Sequence, residues 1–176
     1  AACVIKPTVL CIVPLIIEKI YKKRILPLLG KNILMKSIVK VPLLKKILFK
    51  KAVKEIIHFL GGEVRLVPIG GAPLNRQVEK FLKKGNFPYV FGYGLTEASP
   101  LVTGEKMDEI KIGSPGYAIP GVEIKIENPD KKTKVGDILI KGANITIGYY
   151  KNKKISDTSF TEDGWFKTGD VVEVKG

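Results

Sequence analysis

Histidine and cysteine are nearly absent from this 176-residue sequence, which has one histidine, His58, and two cysteines, Cys3 and Cys11. Two cysteines in one apolar stretch exclude a disulfide scaffold and a cysteine-rich zinc site. A single histidine excludes a multi-histidine metal centre and leaves none to spare beside a Ser-His-Asp triad. Arginine is scarce too, with three residues against 27 lysines. Guanidinium forks are the usual tool for reading bases and gripping phosphate, so their scarcity counts against specific nucleic-acid recognition. A long hydrophobic run is also missing. The longest uncharged stretch lies between Lys6 and Glu18 and contains Pro14, far short of the ~20 residues a membrane helix needs. It mimics a signal-peptide core only loosely, with no Met start and no small-residue cleavage site. The opening at Ala1, on the approach to a strand, predicts a piece of something longer.

Beyond these absences the composition is ordinary for a globular protein, 45% hydrophobic and 27% charged, which excludes a disordered chain. The net charge of +13 is uneven: residues 1–60 carry 13 basic and 2 acidic side chains. Such a basic third suits a solvated lysine-rich surface, an anionic membrane or an acidic partner. The aromatics that interleave with basic residues in single-strand binders are not found there.

Thr8–Val13 is β-branched and apolar, ends at Pro14 and predicts a buried strand. Leu15–Arg24 has helical composition, and Pro27 and Gly30 punctuate the next stretch. From Pro42, Leu44, Leu48, Ala52, Ile56 and Leu60 repeat every four residues as one helix face, closed by Gly61-Gly62. Lys46, Lys50 and Lys54 form a repelling row on the other side, solvated or facing an anion. Val64–Ile69 predicts a second strand, Leu74–Lys84 a helix and Tyr89–Phe91 a third strand. That alternation is the signature of a parallel α/β sheet, whose ligands bind at the carboxyl ends of the strands. Glycine-containing turns at 70–73 and 92–97 sit at those ends. After about Lys106 the pattern changes to short alternating strands, Val122–Glu127 and Asp137–Lys141, with frequent turns. These predict a small antiparallel β-barrel-like subdomain over 109–176, following part of a parallel α/β subdomain over 1–108.

Three segments carry chemistry: Gly70-Gly71-Ala72-Pro73-Leu74, Tyr93-Gly94-Leu95-Thr96-Glu97 and Gly164-Trp165-Phe166-Lys167-Thr168-Gly169-Asp170. Singly, each has a plain structural explanation as a turn, a helix start or a hairpin. Together and in this order they resemble the adenylate-forming enzymes: acyl-CoA synthetases, firefly luciferase and peptide-synthetase adenylation domains. Val90–Pro100, Ile112–Gly116, Pro120–Glu123, Gly148–Asn152 and Phe160–Asp170 extend the likeness. The opening Thr8–Pro14 with Glu18–Tyr21 looks most like the long-chain fatty acyl-CoA synthetase branch.

The resemblance implies an AMP-forming fatty-acid–CoA ligase, cytoplasmic and peripheral at a membrane. Such an enzyme joins a carboxylate to AMP from ATP-Mg and passes the acyl group to coenzyme A. Tyr93 would offer an aromatic face to adenine, and Gly70, Gly71, Ala72 and Pro73 would let the backbone approach the base edge. Gly94 and Leu95 belong to the same nucleotide contact. Thr96 would present a hydroxyl to phosphate, Glu97 a hard oxygen to magnesium, and Asp170 two oxygens to the ribose hydroxyls. Leu15, Ile69 and Ala98 depart from the family's common arginine, serine and threonine without removing a first-line contact. The family's phosphate loop and its C-terminal domain with the adenylation lysine have no counterpart in these residues. That predicts a middle fragment, inactive alone. Two other readings remain open: another adenylating ligase, for a short-acyl or aryl acid, and a non-catalytic adenylate-binding or membrane-surface module built on the basic helix 43–60.

Overall fold

The computed structural model describes residues 2–27 and 42–174, so the punctuation at Gly30 lies outside the described residues. Two compact units result, one of Ala1–Tyr93 with Glu105–Gly116, the other of Gly94–Gly104 with Tyr117–Gly176. No helix among the described residues is long and apolar enough to cross a membrane.

In the first unit a short helix α1 (Ala2–Ile5) precedes α2 (Pro14–Ile20), which continues as a π-helical turn over Tyr21–Ile25. Pro14 starts α2 where a missing N–H costs nothing. The long helix α3 (Pro42–Phe59) buries Phe49, Ala52, Val53 and Ile56, with Leu60 just beyond it. Lys46, Lys50, Lys54 and His58 face solvent. The four-residue repeat names the buried face from Ala52 onward, whereas Leu44 is exposed and Leu48 half-buried, and the lysine row is the solvated reverse. Strand β1 (Val67–Ile69), helix α4 (Arg76–Gly85) and strand β2 (Tyr89–Gly94) come next. β1 and β2 run parallel, with Ile69 opposite Phe91. Asn75 caps α4 by accepting from the N–H groups of Gln77 and Val78. The core joins Ile12, Ile17, Phe49, Ile56, Val67, Phe81 and Tyr89.

Thr8–Val13 does not form a continuous strand. It meets β1 through two isolated parallel bridges, Val9 to Leu66 and Ile12 to Ile69. The N–H groups of Leu10 and Ile12 donate to Leu66 and Pro68, and those of Leu66 and Gly70 donate to Thr8 and Ile12. The residue that should donate to Leu10 is Pro68, which has no N–H, so the ladder is split.

The 105–113 loop of this unit rests on two acids, buried Glu79 and half-buried Glu105. Glu79, 2% exposed, accepts the Gly113 N–H with both carboxylate oxygens at 3.1 and 2.9 Å. Glu105 accepts the Lys111 N–H at 2.7 Å, and the Lys83 ammonium donates to the Ile110 carbonyl. Burial pushes both carboxyls above the usual range, against the pull of those N–H groups. The Glu79 charge raises Glu105 further. Burial, reinforced by both acids, likewise raises the Tyr89 hydroxyl. A carboxyl raised in the folded state favours folding below its unfolded value of 4.5 and loses that contribution as pH rises through its folded value. Glu105→Gln keeps an oxygen for Lys111 and abolishes the titration. Its melting temperature relative to wild type is expected to improve as the pH rises from about 4 to about 8. A pH-independent difference between the two melting curves would refute the assignment.

The second unit contains a 3₁₀ turn (Thr96–Ala98), β3 (Leu101–Gly104), β4 (Tyr117–Ala118), β5 (Val122–Glu127), β6 (Val135–Gly142), α5 (Lys153–Thr158) and β7 (Phe166–Glu173). β3 pairs antiparallel with β4. β5, β6 and β7 form an antiparallel sheet in that order. The expected β-barrel-like subdomain is corrected here: this three-stranded sheet is open, with β5 and β7 as its two edges. Alternation along Val122–Glu127 fixes which face is buried, but closure needs enough tilted strands for the first to pair with the last. Ile138, Ile140 and Phe166 are buried on one side of the sheet, and Leu139 is buried on the other.

Candidate functional site

In the first unit the structure brings Gly70–Pro73 and Tyr93 to one end of adjacent parallel strands, as expected for a ligand-binding crevice. Gly70 comes directly after β1, and a methyl group there would meet only the Gly92 carbonyl, at 3.5 Å. Packing within the protein therefore does not demand glycine at 70. Gly71, Ala72 and Pro73 are exposed, and Tyr93 is half-buried near the end of β2.

In the second unit Thr96 and Glu97 open the 3₁₀ turn. Thr96 is exposed and Glu97 half-buried. Leu95 is extended before them, with φ −146° and ψ 160°. A segment about 50 residues downstream clamps this turn. The Asn144 side-chain amide donates to the carbonyls of Ala98 and Leu101, at 2.7 and 3.0 Å. The Thr146 N–H donates to the Glu97 carbonyl at 2.7 Å. The Tyr149 hydroxyl donates to Glu97 Oε1 at 2.9 Å. That bond raises the Tyr149 hydroxyl above the ordinary tyrosine value. The run Gly148–Asn152 stands out in the sequence, but no local signal ties its tyrosine to Glu97.

Glu97 Oε2 has no hydrogen-bond partner among the described residues. No group of three or more His, Cys, Asp or Glu among those residues could hold a metal by itself. One oriented carboxylate is nevertheless the donor set that suits magnesium carried on a nucleotide, which keeps its waters and phosphate oxygens and takes one or two protein ligands.

Asp170 owes its place to a bulge. Leu139 pairs with Lys167 and Asp137 with Val171, so Thr168, Gly169 and Asp170 together oppose the single residue Ile138. The Thr168 hydroxyl donates to the Ile138 carbonyl at 2.8 Å and accepts the Asp170 N–H at 3.1 Å. Gly169 supplies the positive φ of 76° that closes the detour. Buried Phe166 anchors the strand before it, edge-on to Phe160 at 5.3 Å. Asp170 is exposed.

The AMP-binding enzyme family matches residues 2–150. A 2-succinylbenzoate–CoA ligase of Listeria monocytogenes is 44% identical over 110 residues, covering 61% of this chain and 22% of that protein. A long-chain-fatty-acid–CoA ligase of Mycobacterium bovis is 30% identical over 197 residues, covering 97% of this chain and 30% of that protein. Among solved structures, the o-succinylbenzoate CoA synthetase of Bacillus subtilis in complex with the acyl-adenylate intermediate OSB-AMP superposes with a TM-score of 0.59 at 28% identity. It covers 65% of this chain and 31% of that one. The chain thus spans less than a third of the length of each. With the family match running through the 70–73 turn, the Tyr93–Glu97 run and Tyr149, this chain belongs to the AMP-binding enzymes.

Proposed function

We propose that the chain is the nucleotide-handling part of an acid–CoA ligase. Such an enzyme lets a carboxylate oxygen attack the α-phosphorus of ATP, forming acyl-AMP and releasing pyrophosphate. The coenzyme A sulfur then attacks the acyl carbonyl, and AMP leaves. The observation that carries this reading is the Glu97 carboxylate, fixed at one oxygen by Tyr149 and open at the other. Magnesium, when bound, offsets the charge on the phosphate oxygens. Glu97 Oε2 is the oxygen that would hold it, and the Thr96 hydroxyl beside it is suited to donate to phosphate. Gly70–Pro73 and Tyr93 are assigned to adenine, with Gly94 and Leu95 carrying the chain from Tyr93 to the phosphate residues. Asp170 is assigned to the ribose hydroxyls.

The acid is proposed to be of the aryl or short-acyl class. The succinylbenzoate ligase shares 44% of its aligned residues with this chain, against 30% for the fatty-acid ligase. That favours a reading other than the long-chain one. In the full-length enzyme, ATP–pyrophosphate exchange is expected with aryl or short acids and not with palmitate; exchange with palmitate alone would restore the fatty-acid assignment. Asp170→Ala in the same enzyme is expected to weaken ATP binding by about 1–3 kcal/mol, the value of hydrogen bonds to a charged group. The variant should also lose discrimination between ATP and its 2′-deoxy analogue, with little change in melting temperature. A lower melting temperature with unchanged affinity for both nucleotides would make Asp170 a turn residue.

A further inference from the structure

The run Gly148–Ser156 is built to aim one hydroxyl. Gly148 takes φ 145°, and a methyl group there would lie 2.8 Å from the Ser156 hydroxyl oxygen. Its absence lets the chain pass close enough for Ser156 Oγ to accept the Tyr149 N–H at 2.8 Å. Ser156 Oγ in turn donates to the Asn152 carbonyl at 2.9 Å. Asn152 caps α5 by accepting the Ile155 N–H. On the other side of Gly148, the Thr146 hydroxyl donates to the Gly148 carbonyl at 2.9 Å and accepts the Gly148 N–H at 3.2 Å. The Tyr149 backbone is thus pinned from both sides. Tyr149 is 37% exposed, so burial does not explain why it is held. Its hydroxyl ends on Glu97 Oε1.

From this geometry we infer that Tyr149 is a positioning residue: by occupying Glu97 Oε1 it turns Oε2 toward the magnesium–nucleotide complex. The inference rests on the proposed role of Glu97 as a metal ligand. A carboxylate free to rotate offers either oxygen, singly or as a pair. One held at Oε1 offers a single oxygen in a fixed direction, which suits the strict octahedral preference of magnesium. Partners one bond removed from a metal commonly set its affinity by about 10–100-fold.

The test uses the full-length enzyme with ATP, with Mn²⁺ as a magnesium substitute whose binding is read by electron paramagnetic resonance. Tyr149→Phe, Glu97→Gln, Ser156→Ala and the control Tyr150→Phe are compared with wild type, each with a melting curve. Tyr149→Phe is expected to weaken Mn²⁺ binding to the ATP complex about tenfold at an unchanged melting temperature. Ser156→Ala should act in the same direction more weakly, and Tyr150→Phe should have no effect. If Glu97→Gln weakens Mn²⁺ binding and Tyr149→Phe leaves it unchanged, Tyr149 has no positioning role and Glu97 keeps its own. If neither variant changes it, the assignment of Glu97 to the metal fails, and this inference with it. A lower melting temperature for Tyr149→Phe at wild-type Mn²⁺ affinity would likewise overturn the inference, leaving the hydroxyl a structural bond.

Discussion

Glu97→Gln in the full-length enzyme is expected to slow acyl-adenylate formation by about a hundredfold or more, while ATP affinity falls much less. Glutamine keeps the side-chain length and an oxygen for the Tyr149 hydroxyl, so the turn stays in place. The Thr146 N–H still finds the Glu97 carbonyl. What disappears is one negative charge. A metal ligand that offsets charge building up as the α-phosphorus is attacked contributes most in the transition state. Losing one such electrostatic group commonly costs about 10²–10³ in kcat. The experiment is pre-steady-state measurement of acyl-AMP beside direct titration of ATP. Equal losses in rate and affinity would make Glu97 a ground-state binding residue, and no loss in either would make it structural.

Gly94→Ala is expected to damage folding rather than chemistry. A methyl group at 94 would lie 1.9 Å from the Pro100 carbonyl oxygen, 2.9 Å from its carbon and 3.0 Å from the Leu101 Cα. All three are main-chain atoms, so no side chain can rotate away. The backbone of the turn carrying Thr96 and Glu97 would have to open. A cost of about 3 kcal/mol or more is expected, the upper range for forced overpacking. Gly104→Ala is the matched control, since nothing lies within 4 Å of a methyl group there. It should stay within roughly the ordinary range for a surface substitution. Melting curves of the two variants decide the matter, and equal stability would disprove the close approach. Gly94 thus has a packing role independent of any ligand, whereas Gly70 does not.

Local signals account for the legible part of the fold. The spacing of Ala52, Ile56 and Leu60 marks the buried face of α3, and alternation from Val122 to Glu127 marks β5. The turn after β1 falls at a strand end because strand–helix–strand order requires a parallel pair, whereas the expected turn at 92–97 begins later, since Gly92, Tyr93 and Gly94 are the last residues of β2. The illegible part depends on partners distant in sequence. Thr8–Val13 has strand composition, and its ladder is cut by Pro68, whose register against Leu10 only the folded chain defines. Leu74–Lys84 looks uniformly helical, yet Asn75 stands outside the helix as its cap, with its own N–H held by the Glu18 carboxylate 57 residues away. The Tyr149–Glu97 bond joins residues 52 apart. The open edges of the β5–β6–β7 sheet escape a sequence reading for the same reason, since alternation describes a strand's faces and not the strand count around it.

The detour at Thr168–Asp170 has an arithmetic consequence. Side chains alternate across a strand with a period of two, so one inserted residue would swap the inner and outer faces from there on. Here three residues stand where one would serve, an excess of two. Phe166 and Val172 therefore stay on one face, with Lys167 and Val171 on the other. The strand carries an outward detour without a change of parity. Deleting a single residue of Thr168-Gly169-Asp170 would turn Val172 and everything after it inside out, whereas removing two would restore an unbroken ladder.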